Sequence, residues 1–127
     1  MEKQITQVES FHNAFLEKNG EKPQLIDGTV YHLRHRLMEE ENNEYLEACE
    51  ANDLVGIADA LGDQLYILCG TILKHGLQHK IEEVFDEIQK SNMSKLDRDG
   101  KPIFREDGKI LKGPDYFRPD ISKILNQ

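Results

Sequence analysis

LMEEENNEYLEACEANDLVGIADALGDQLYILCG, residues 37–70, is the stretch from which the rest of the chain can be read. It spans two successive predicted helices and sets Glu40, Glu41, Glu44, Asp59 and Asp63 on them. On the first helix the inward series runs Leu33, Leu37, then Glu41 and Glu44, before returning to Ala48. On the second, Leu54, Ile57, Ala58, Leu61, Leu65, Leu68 and Ile72 make a long apolar arc, with Asp59 and Asp63 one turn apart at its edge. A carboxylate that interrupts a packing face stays charged only with a partner. Magnesium is a natural one, because it takes hard oxygen ligands and is held by a few carboxylates together with substrate phosphates.

The first helix of this stretch is predicted over 31–50 and the second over 54–75, with Asn52 and Asp53 as break and cap and Gly76 as the stop. So short a break makes them antiparallel neighbours. Glu41 and Glu44 sit three residues apart and Asp59 and Asp63 four apart, so each pair shares a face. Folding the chain at Asn52 turns the two acidic pairs toward one another. Gly62 and Gly70 lie inside the second helix, each costing about 1 kcal/mol relative to Ala. Close helix packing, or room for a substrate, is the expected compensation.

Outward from this hairpin the signals weaken. A short helix over 4–18 places Ile5, Val8, Phe11 or His12, and Phe15 on one face, with core packing expected of the two phenylalanines. Gly20 and Pro23 stop it, and 24–30 read as loop. A fourth helix starts near Lys80 and carries Val84, Phe85 and Ile88. From Ser91 the texture changes to turn residues, and Pro102 to Arg105 and Lys109 to Lys112 flank Glu106-Asp107-Gly108 as a small β-hairpin or a tight loop. The expectation is one all-α domain over 1–127, a bundle built on the hairpin, with a helical part over 4–90 and a loop-rich tail over 91–127.

Composition narrows the function. A formal charge of -8 argues against a nucleic-acid binder, which needs a basic surface. No apolar run approaches a membrane span and no signal sequence opens the chain, so a cytoplasmic protein is expected. Cys49 and Cys69 lack metal-ligand spacing and read as a buried, reduced pair. A hydrophobic content of 38% suits helices that complete their core in a homodimer or homotetramer.

Three explanations fit the clustered carboxylates. A solvated helix face is one, but Glu39, Glu40 and Glu41 share a turn and are followed by Asn43, Glu44 and Tyr45, with no lysine to relieve them. A di-iron bundle wants Glu-x-x-His pairs, and the chain has none. A magnesium or manganese site for polyphosphate chemistry remains. Phosphate would call for donors, and Lys95 is the best placed, with Asn92 and Ser94 close by and Lys112, Lys74 and Arg118 further off. Neither a Walker loop nor a Rossmann fingerprint is present.

Glu40-Glu41-x-x-Glu44, followed by ALGDQLY at 60–66, resembles the all-alpha nucleoside triphosphate pyrophosphohydrolases, which include MazG-type enzymes, phosphoribosyl-ATP pyrophosphohydrolase and dimeric dUTPases. Their signature is ExxE, a spacer, then ExxD. Glu41-x-x-Glu44 matches its first half and Asp63 its last residue, and the tail SNMSKLDRDGKPIFREDGKILKGPDYF is similar to a phosphoribosyl-ATP pyrophosphohydrolase-like branch. One position departs: Ala60 stands where the third carboxylate belongs, with Asp59 beside it. The resemblance implies a magnesium site (manganese as the alternative) at Glu41, Glu44, Asp59 and Asp63, with Glu40 and Glu41 in the catalytic roles. It further implies a nucleotide substrate held by Asn92, Lys95, Lys112 and Tyr116, and water attack on its alpha-beta phosphoanhydride. The other reading is a non-catalytic nucleotide- or metal-binding protein on the same helices.

Overall fold

Two aspartates start the long helices. Asp27 accepts a hydrogen bond from the Thr29 amide at 2.8 Å, and Asp53 accepts one from Gly56 at 3.0 Å, each satisfying a donor that a helix start leaves unpaired. In the computed structural model, which describes residues 1–126, the helices are α1 (Glu2–Ala14), α2 (Gly28–Glu50), α3 (Leu54–Lys74), α4 (Ile81–Met93) and α5 (Ile121–Leu125). The chain divides into two compact units, one of Met1–His79 and one from Lys80 onward.

In the first unit α2 and α3 form the antiparallel hairpin, and α1 packs on α3. Asn52 makes the reversal with φ 54, a left-handed conformation asparagine tolerates better than most residues. Because Asp27 caps it, α2 begins at Gly28, three residues before the expected start. The first helix ends at Ala14, four residues early. Leu16 there adopts φ 60, and the Glu17 amide reaches back to the His12 carbonyl at 2.8 Å.

Ile5 and Val8 of α1 are buried together with Ala60, Cys69, Ile72 and Leu73 of α3. The third inward position of α1 belongs to His12, which is 3% exposed, whereas Phe11 and Phe15 are exposed. A polar core residue is tolerated here because Asn19 meets the His12 Nδ1 atom at 2.6 Å. The apolar arc is only half used: Leu54, Leu61, Leu65 and Leu68 are exposed. Both cysteines are free, Cys69 buried and Cys49 half-buried. Gly76 ends α3 at φ +66, and Gly20 lies so close to it that a Cβ on Gly20 would stand 2.8 Å from the Gly76 nitrogen.

In the second unit α4 runs on to Met93, so Asn92 belongs to its last turn. Buried Ser91 donates to the Phe117 carbonyl at 2.8 Å, and the Phe117 amide donates to Ser94 Oγ at 3.2 Å, which folds the tail back along α4. The expected β-hairpin does not form: no strand occurs among the described residues. An isolated antiparallel bridge joins Phe104 to Ile110, with amides of Arg105 and Leu111 donating to Lys109 and Ile103, each at 2.8 Å. Gly108 makes the turn at φ +87, and Pro102 has no amide donor to carry the pairing further. No helix among the described residues is long and apolar enough to cross a membrane.

Candidate metal centre

The hairpin brings Glu41 and Glu44 of α2 and Asp63 of α3 to one place, where one carboxylate oxygen from each lies within 4.8 Å of the others. Glu41 is half-buried, and its Oε2 atom is shielded from water and accepts no hydrogen bond. Its pKa is pushed up to about 6, first by burial. A hydrogen bond with Glu44 that requires a proton adds to this, as do the charges of Glu44, Asp63 and Asp59.

These features fit a small hard cation. Oxygens around an octahedral magnesium at 2.0–2.1 Å stand roughly 3–4 Å from one another, so the three carboxylates need close only slightly. A cation there would take up the orphaned oxygen and cancel the repulsion that raises the Glu41 pKa. Glu44 is exposed and free to adjust.

The other expected residues stand as follows. Asp59 is exposed and lies outside the group of three, although its charge reaches Glu41. Glu40 is exposed beside Glu41 and also lies outside the group. Ala60 is 1% exposed, so this position serves the core and offers no oxygen. Asn92, Lys95, Lys112 and Tyr116 belong to the second unit. Within it the Lys112 ammonium sits 4.8 Å from the centre of the Tyr116 ring, a cation–π contact, and Lys95 is half-buried just past α4.

Arg34 escaped the sequence reading. It lies on α2 seven residues before Glu41, two turns away along the same stripe, and is half-buried. Its Nε donates to Thr71 Oγ1 at 3.0 Å and its Nη2 to the Ile67 carbonyl at 2.8 Å. Burial lowers its pKa, with the charge of Glu17 acting the other way. Gly70 makes room for it, since a Cβ there would stand 2.5 Å from Arg34 Nη2 and 3.1 Å from His12 Nε2. Close packing is therefore what this glycine serves, whereas Gly62 faces open space. The signal that could have revealed Arg34 is a charge at an inward position opposite a helical glycine.

Comparison with known proteins places the chain in a family. The family model for phosphoribosyl-ATP pyrophosphohydrolase matches residues 8–92. A crystal structure from Exiguobacterium sp. 255-15, described as that of a candidate NTP pyrophosphohydrolase, is 25% identical to this chain. It covers 97% of this chain and 94% of its own, with a TM-score of 0.55. No curated protein sequence matches.

Proposed function

Because the chain belongs to the phosphoribosyl-ATP pyrophosphohydrolase family, we propose that it hydrolyses the alpha-beta phosphoanhydride of a nucleoside triphosphate or related nucleotide in a magnesium-dependent reaction. The observation that carries this reading is the half-buried Glu41, whose Oε2 has no hydrogen-bond partner, set among Glu44 and Asp63. Glu41, Glu44 and Asp63 would hold the cation, with Asp59 as the further ligand that the resemblance implies. When bound, magnesium polarises the phosphoryl oxygens and neutralises the leaving group. Glu40 takes the proton of the attacking water, the bridging P–O bond breaks, and the products are the monophosphate and pyrophosphate. Asn92, Lys95, Lys112 and Tyr116, all of the second unit, are nucleotide contacts by the family resemblance alone.

A second copy of the chain is proposed to cover the exposed leucines of α3, since so broad an apolar face is stable only when buried. A monomer in sedimentation would remove that part. Ala60 favours the second reading, a protein that binds nucleotide without turning it over. The deciding experiment measures pyrophosphate release from dUTP, dCTP, phosphoribosyl-ATP and the common triphosphates, with and without magnesium or manganese. Release that depends on metal and is lost in E44Q establishes the enzyme. Silence across the panel from a folded protein leaves the binding reading.

A further inference from the structure

A carboxylate group shared between two helices is only as well formed as their register. Apolar packing holds that register loosely here, because none of the described residues of α2 is fully buried and apolar attraction has no direction. Near the reversal the helices come close, and a Cβ on Gly56 would stand 3.1 Å from Ala48 Cβ. Midway, Gln64 Nε2 donates to Asn42 Oδ1 at 3.4 Å, a long bond in an exposed position. At the far end the link is short and directional. Arg34 Nε donates to Thr71 Oγ1 at 3.0 Å and Nη2 to the Ile67 carbonyl at 2.8 Å, while Thr71 Oγ1 donates to that same carbonyl at 2.9 Å. The hydroxyl proton is thus committed to Ile67 and a lone pair to Arg34, so the direction of each bond in the ring is fixed. Gly70 leaves room for the guanidinium, and Glu17 lends it an opposite charge.

The geometry points to Arg34 as a positioning residue: by fastening α2 to Ile67 and Thr71 it sets the register in which Glu41 and Glu44 meet Asp63. The offsets match on the two antiparallel helices. Glu41 lies seven residues beyond Arg34, about 10 Å along α2. Asp63 lies four residues before Ile67 and eight before Thr71, about 6 and 12 Å along α3. Fastening one end therefore sets the other. A slide by one residue's rise, about 1.5 Å, is most of a magnesium–oxygen bond of roughly 2.0–2.1 Å, and magnesium demands near-ideal octahedral geometry. The inference rests on the reading of the acidic group as a magnesium site, but not on turnover.

The test is calorimetric titration of the full chain, stripped with EDTA and dialysed, with magnesium chloride and then manganese chloride, beside circular dichroism and thermal melts of each variant. R34Q should weaken binding of the ions about tenfold at a temperature where the variant is folded. T71V, which keeps the shape of the side chain but loses the hydroxyl, should weaken it severalfold, and T71S should restore the wild-type affinity. R34Q/T71V should bind no more weakly than R34Q, since both remove one network. Should R34Q fail to fold, T71V against T71S decides. A lowered melting temperature with wild-type affinity in the folded variants would reduce Arg34 to a stabilising contact and overturn the proposal. A wild type that binds neither ion overturns it together with the metal reading, whereas a wild type that binds metal yet releases no pyrophosphate removes only the hydrolase.

Discussion

The two ends of the α2–α3 pair solve opposite problems. Toward the Asn52 reversal, three carboxylates crowd together and one oxygen is left without a partner. Two turns away, the cations of the same helix pair are braced: Arg34 by Thr71 and Ile67, Lys74 by Glu17 and Lys18. A polar group in a helix–helix face is tolerated when the fold supplies its partners or when something outside does. Lys74 belongs to the first case and Glu41 to the second. Arg34 stands with the first, held by neutral acceptors of α3 and by the charge of Glu17. Sites for ligands are to be sought where the second case holds.

The largest way to break this contrast is at the acidic end. D63N and E44Q should each reduce pyrophosphate release by about a hundredfold or more, because each removes an anionic oxygen from the cation's site. Both should leave the far-ultraviolet circular dichroism unchanged. They should raise the melting temperature of the metal-free protein by relieving repulsion, and shrink its further rise with magnesium. A metal-free protein destabilised by both substitutions would show that the carboxylates are structural.

At the basic end the test is steric. G70A forces a methyl to within 2.5 Å of the Arg34 guanidinium, whose two hydrogen bonds to α3 keep it from moving freely. The expected loss is about 1–3 kcal/mol, as for overpacking, less about 1 kcal/mol of helix propensity gained. G62A has no such conflict, because nothing lies within 4 Å of the added methyl. It should be stabilising by up to about 1 kcal/mol. Denaturant titrations of the two variants check this, and equal effects would mean that Gly70 is not what admits Arg34.

How much of this was legible in the sequence differs along the chain. The hairpin was, because the 3.6-residue period is long on both helices and Asn52-Asp53 supply both a reversal and a cap. Of the four expected ligands, Glu41, Glu44 and Asp63 come together and Asp59 does not; the first three were suggested by Glu41 falling in an apolar series, where a solvated residue has no reason to be. The end of α1 was not: a leucine at positive φ, as at Leu16, leaves no compositional mark. Nor was the choice of His12 over Phe11, which depends on Asn19 returning from the following loop. Arg34 was hidden by the stripe itself, since stepping from Leu33 to Leu37 to Glu41 passes over it, and its partners come from α3, 33 and 37 residues away. The arginine was visible as a residue, and only the packing made it informative. Ala60 shows the reverse: its departure from the family pattern is plain in the sequence, while its burial explains why an alanine is stable there.

The smallest expected effect sharpens the comparison by pH. Glu41 titrates near pH 6 in the folded, metal-free chain, above its ordinary value of 4.5, so between those values the folded state binds more protons than the unfolded one. Stability of the metal-free protein therefore falls as pH rises from about 4.5 to about 6, by less than about 1 kcal/mol because solvent screens the partly exposed carboxylate. Above that range the loss is complete. Magnesium competes with the proton for the same carboxylate, so its stabilisation should be small at pH 5 and full at pH 7.5. E41Q, which cannot ionise, should flatten both trends. Thermal melts of the wild type and E41Q at the two pH values, with and without magnesium, measure all of this. A wild-type pH dependence that persists in E41Q would show that Glu41 is not its source and would remove the crowding at Glu41 as what sets this end of the helix pair apart.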